Sequence, residues 1–298
     1  MENTLSEKRE LRSDLWKTGT VALIFALTAL VVSFAGAFAE GFKYLSLYGW
    51  SVAFVITFLI IIRKDFTVIF KTRFSTERNK STKIFSGVCR YMTAVAGGIL
   101  LVGIIVLLLE AVGVNPLGNL RVIPVTHGFG KVVYVIYSCI LAPVIYELVF
   151  RGYILGKLSV YDKKGAVYVS ALLYSLVYGT YITIPIVFMT GVVLGNVALS
   201  SRSLMTPIKV NIFSTLLLYA AMGAVSGEYK ILTIIFFVVL GFLALIGLVA
   251  FINSFKGKVP DIKNAIISSG KFIMTLPGFI ALLLIITEDI VFLIFQIR

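Results

Sequence analysis

Ala142 to Tyr153 reads A-P-V-I-Y-E-L-V-F-R-G-Y, an apolar run interrupted by one carboxylate, Glu147, and one guanidinium, Arg151, four residues apart. On a helix that spacing brings both side chains to one face and within reach of each other. Ionisable residues inside a bilayer are costly and turn inward toward partners, so the pair marks an architectural or functional centre. Whether it lies in a bilayer is decided by the rest of the chain. Of 298 residues 59% are apolar and 14% charged, with a mean hydropathy of +1.01. Soluble domains carry roughly 45–50% apolar and 25% charged residues, and the sequence therefore predicts an integral membrane protein.

Spans need about 20 apolar residues to cross about 30 Å of hydrocarbon. On that measure helices are expected at about 18–39, 44–62, 84–109 and 131–150. Gly165 to Ser201 carries no charge over 37 residues, and a straight helix of that length would run about 55 Å. It must fold back, and Gly179 and Pro185 mark the break between spans at about 165–182 and 185–201. Three more are expected at about 206–226, 231–254 and 271–293. The fold class is thus all-α, a polytopic transmembrane helical bundle of about nine spans (eight to nine), forming a single membrane domain over residues 1–298.

Charge sets the orientation. With the N-terminus cytoplasmic, 22 of the 27 Lys and Arg fall on the cytoplasmic side, leaving Lys43, Arg121, Lys131, Lys230 and Arg298 outside. That asymmetry follows the positive-inside rule and accounts for the net charge of +13 without nucleic acid as a partner. It also puts Glu147 and Arg151 at the cytoplasmic end of the fourth span. The mixed-sign N-terminus and the apolar run of about 22 residues behind it read as a retained first span rather than a signal peptide. Residues 63–83 form a basic, Ser/Thr-rich cytoplasmic loop suited to resting on anionic lipid. Residues 110–130, with two prolines, four glycines and His127, form an extracellular loop.

His127 is the only histidine, so a histidine-based metal site is not expected, and neither a metal nor a cofactor is implied. Cys89 and Cys139 lack ligand spacing and read as buried or lipid-facing thiols.

The Ala142 to Tyr153 stretch resembles the first motif, E-E-x-x-x-R, of the CPBP family, the CAAX-protease and bacteriocin-processing (Abi) membrane proteins. S-A-L-L-Y-S-L-V-Y-G at 170–179 resembles the second motif, F-x-x-x-H. The segments at 188–195 and 203–215 resemble the approach to the third, H-x-x-x-N or H-x-x-x-D. The ordered set covers a core of about residues 131–220, with Pro143, Gly152, Gly191, Gly195 and Pro207 in place.

In active relatives the first Glu and the second-motif His activate a water, and the third-motif residues support the oxyanion. The corresponding positions here are Tyr146, Tyr178, Asn211 and Thr215. A general base must hold a proton near the working pH, and tyrosine, asparagine and threonine do not. No catalytic residue is therefore expected. Glu147 and Arg151 match the retained Glu and Arg and are expected to form a structural ion pair. Ser175 and Ser214 are expected to line a polar cavity with the degenerate positions.

The resemblance implies a pseudoprotease, similar to the lysostaphin-resistance type, in a bacterial plasma membrane. Such a protein acts as a scaffold or regulator by binding another envelope protein, a wall hydrolase or a sensor kinase, within the lipid bilayer. Two other readings stay open: an intramembrane CAAX-type endopeptidase with an atypical site around Glu147, and a bacteriocin self-immunity protein.

Overall fold

A computed structural model describes residues 2–38, 81–113, 128–178 and 182–255, with positions 275, 277 and 280. All regular structure among them is helical. In chain order the helices are α1 (Glu2–Phe38), α2 (Ser81–Ala111), α3, α4 (Lys163–Tyr178), α5 (Ile184–Ser201), α6 (Met205–Ser226) and α7 (Lys230–Phe255). Helix α3 is composite. It runs as an α-helix over Gly128–Ile136, a π-helix over Tyr137–Leu141, an α-helix over Ala142–Tyr146, a π-helix over Glu147–Leu155 and a last α turn over Gly156–Leu158.

Pro143 explains the first of these π segments. It has no N–H to return to the carbonyl of Cys139, and its ring crowds that carbonyl, so the ladder ahead of it must re-register. The N–H of Ala142 accordingly bonds the carbonyl of Tyr137, five residues back. Stretches of this kind are rare and concentrate at functional positions.

Among the described residues five helices are long and apolar enough to cross a membrane: Lys83–Ala111, Val132–Leu158, Ile184–Ser201, Met205–Ser226 and Lys230–Asn253. They match the spans expected at 84–109, 131–150, 185–201, 206–226 and 231–254. The expected span at 18–39 falls within α1 as far as Phe38, that at 44–62 lies outside the described residues, and so does all of 271–293 but positions 275, 277 and 280. The expected span at 165–182 corresponds to α4, whose 16 residues extend about 24 Å. The helix break is where Gly179 and Pro185 suggested: α4 ends at Tyr178 and α5 starts at Ile184 with Pro185 in its first turn, where the missing N–H costs nothing. Most of the basic loop at 63–83 and of the loop at 110–130, including His127, lies outside the described residues.

The fourth span differs from expectation at its end. The helix runs on to Leu158, past the expected end at 150, and Arg151 is fully buried. The arginine did not signal a boundary because burial, not solvent, receives it.

The described residues fall into two compact units, and the division passes through α3 between Glu147 and Leu148. One unit holds α2, α3 up to Glu147, α5, α6 and α7. Its core packs Val88, Tyr91, Met92 and Val95 of α2 with Leu194 and Val197 of α5 and Val210 of α6. Helix α7 lies against α2 through Gly247: a Cβ there would meet the carbonyl of Cys89 and the hydroxyl of Thr93. Thr93 in turn donates to the carbonyl of Ala244 at 2.7 Å. Small residues that let backbones approach are the usual device of membrane helix pairs. The outer face of α7, with Ile231, Ile234, Phe237, Val238, Phe242 and Leu245, is exposed and apolar, as a lipid-facing helix must be. Cys89 and Cys139 are free and buried.

The other unit holds α1, α3 from Leu148 and α4. Phe150 sits edge-on to Phe25 of α1 at 6.1 Å and to Tyr174 of α4 at 5.6 Å. Ser170 of α4 donates to the carbonyl of Phe150 at 2.9 Å. Near the start of α1, Asp14 takes bonds from Lys157 at 3.3 Å and from the Tyr161 hydroxyl at 2.9 Å.

Candidate functional site

Glu147 opens the second π segment of α3. In its unit, Glu147 is 0% exposed and the residue opposite on α6, Asn211, 2%. The amide nitrogen of Asn211 donates to Oε1 of Glu147 at 3.1 Å. One turn along α6, the Thr215 hydroxyl donates to the Asn211 backbone carbonyl at 2.7 Å and lies 3.3 Å from the Asn211 side-chain oxygen. The single hydroxyl proton serves the shorter bond first, and its leaning toward Oδ1 fixes the amide so that nitrogen faces the carboxyl. Thr215, Asn211 and Glu147 thus form a directed chain of donors and acceptors between α6 and α3.

Two more expected residues belong to this unit. Tyr146 is buried beside Glu147, on the last residue of the short α segment. Ser214 is fully buried on α6, and its hydroxyl has no hydrogen-bond partner among the described residues. A buried unsatisfied hydroxyl costs about 1–3 kcal/mol.

The remaining motif residues lie in the other unit. Arg151 is fully buried, with its guanidinium carbon 4.3 Å from the centre of the Tyr174 ring. A desolvated guanidinium over an aromatic face is held by about 2 kcal/mol. Ser175 is buried, but its hydroxyl donates to the Leu172 carbonyl of its own helix at 2.8 Å, so its proton is already spent. Tyr178 is the last residue of α4. Lys157 extends over the Tyr153 ring at 5.5 Å.

Sequence reasoning did not single out Tyr174 or Asp14. Tyr174 stands at the aromatic position opening the second motif, and that alignment was the available signal. For Asp14, whose partners are 143 and 147 positions away, local sequence carries none. Tyr161, outside the spans, has its hydroxyl pushed up to about 12, by burial first and then by its bond to Asp14 and the charges of Asp14 and Glu10.

Comparison with known families assigns this part of the chain. The family model described as type II CAAX prenyl endopeptidase Rce1-like matches residues 128–217. This segment is Rce1-like. The match agrees with the CPBP resemblance at 131–220 and, within the described residues, takes in α3, α4, α5 and α6 as far as Leu217. Every residue of the motifs, from Tyr146 to Thr215, falls inside the Rce1-like segment. No curated protein and no solved structure matches the chain.

Proposed function

We propose that the protein is a catalytically inactive CPBP-family membrane protein that acts by binding, as a scaffold or regulator of a wall hydrolase or sensor kinase in a bacterial plasma membrane. The observation that carries this reading is the bond from Asn211 to Glu147. The one carboxyl kept from the motif faces an amide donor braced by Thr215, and the position before it is a buried tyrosine. Those groups orient a side chain; they do not take a proton from water at neutral pH. The donors that in active relatives would support an oxyanion are spent here on the ground-state structure.

In this reading the chain has nine spans, its N-terminus is cytoplasmic, and the Glu147 and Arg151 positions brace the helix. Cysteine labelling from either side of intact membranes tests the topology: positions in 63–83 should label from the cytoplasm and those in 110–130 from outside.

Incubation of the purified protein with prenylated CAAX peptides and with leader peptides tests the inactivity. No cleavage is expected from the wild type or from Glu147→Gln. Turnover by the wild type that Glu147→Gln abolishes would replace this reading with that of an endopeptidase centred on Glu147.

A further inference from the structure

In the unit built on α2, α5, α6 and α7, a pocket of about 260 Å³ opens among Lys83, Ser86, Gly87 and Arg90 of α2 and Val197, Ser200 and Ser201 of α5. It is separate from the Glu147 site in its residues and its chemistry. Two of its lining side chains are cationic, three carry hydroxyls and none is acidic. The Nε of Arg90 is buried and has no hydrogen-bond partner among the described residues, which leaves a donor with nothing to receive it. We propose that this pocket is an anion site that takes a phosphate group.

The chemistry selects the ligand class. A guanidinium and an ammonium on one helix, seven residues apart and therefore on one face, suit a tetrahedral oxyanion with several acceptor oxygens. Lys83 stands in the first turn of α2, which starts at Ser81, so at that end of the pocket the helix dipole favours negative charge. Helix α5 contributes its C-terminal end, which opposes an anion. The hydroxyl of Ser200 donates to the carbonyl of Val197, and that of Ser201 to the carbonyls of Ser203 and Ala198, so they supply little. Lys83 and Arg90 must therefore carry the binding. The volume equals roughly nine waters at about 30 Å³ each, enough for a phosphate with a glycerol attached.

Position narrows the source. Lys83 begins one candidate span and Ser201 ends another, which places the pocket at the level of lipid headgroups. A phosphatidylglycerol headgroup and a soluble phosphate share the required chemistry, and the test separates them.

The full chain, purified in mild detergent, is titrated with phosphatidylglycerol, with phosphatidylcholine and with inorganic phosphate, and binding is read by native mass spectrometry and thermal shift. Phosphatidylglycerol should bind at least fivefold more tightly than phosphatidylcholine. Lys83→Gln should lower that affinity at least fivefold and Arg90→Gln further, whereas Lys209→Gln, an equal charge loss at an exposed position outside the pocket, should leave it unchanged. Saturation by inorganic phosphate alone, sensitive to Lys83→Gln, would support the site and assign it to a soluble ligand. Lys83 is exposed, so its variant folds even if Arg90→Gln does not. Equal phosphatidylglycerol affinity in wild type and Lys83→Gln, or no preference over phosphatidylcholine together with no effect of inorganic phosphate, overturns the proposal.

Discussion

Arg151 lies face-on to Tyr174, its guanidinium carbon 4.3 Å from the ring centre, and the two residues hold the second half of α3 to α4. The contact needs a π face and a flat cation, not a hydroxyl. Tyr174→Phe should therefore keep most of the stability, whereas Tyr174→Leu should lose about 2 kcal/mol. Arg151→Lys should also destabilise, because an ammonium is more strongly hydrated and cannot stack. Thermal unfolding in detergent distinguishes the three variants.

Replacing Asn211 with leucine removes the donor to Glu147 and the acceptor beside Thr215 together. Membrane hydrogen bonds average about 0.6 kcal/mol, but this one leaves a buried carboxyl facing an apolar group, so a loss of about 2 kcal/mol is expected. Thr215→Val should cost less, because only the orientation of the amide is released. No loss in Thr215→Val would mean that the amide needs no bracing.

Ser214→Ala should be neutral or stabilising by up to about 1 kcal/mol, since it deletes a buried hydroxyl that has no partner among the described residues. A clear loss of stability would mean that the hydroxyl is paired.

The contact of α1 with the end of α3 should respond to alkali. The folded-state value of Tyr161 is raised to about 12, above the ordinary value near 10. Its contribution is therefore fully present below about pH 10 and is lost as pH rises through about 12. Phenolate absorbance should titrate late in the folded protein, and Tyr161→Phe should remove that late component.

Helix α7 should tolerate bulk at one glycine and not at another. Gly247→Leu would drive a side chain into the backbone of Cys89, so folded yield should fall sharply. At Gly241 an added Cβ meets nothing within 4 Å, and Gly241→Leu should leave yield near that of the wild type.

The parts of this protein legible in its sequence are those governed by local rules. Hydropathy and length placed α2, α5, α6 and α7, and Gly179 with Pro185 placed the break between α4 and α5. The motif order brought Glu147 and Asn211 to attention before any geometry did. What stayed hidden depends on distance or on backbone register. Nothing near Asp14 announces Lys157 or Tyr161. The charge of Arg151 reads as the edge of a span until its burial over Tyr174 is seen. The π segments follow from how Pro143 and the buried residues after it are accommodated, and no apolar periodicity encodes that.

The Glu147–Leu155 segment has a consequence for how the chain can vary in length. A ladder that returns each N–H to the fifth carbonyl instead of the fourth holds one residue more than its span requires. Deleting any single residue between Leu148 and Ile154 would let an ordinary helix close, with the residues before and after the segment still on their present faces. This stretch should therefore absorb a one-residue deletion that a regular membrane helix would not.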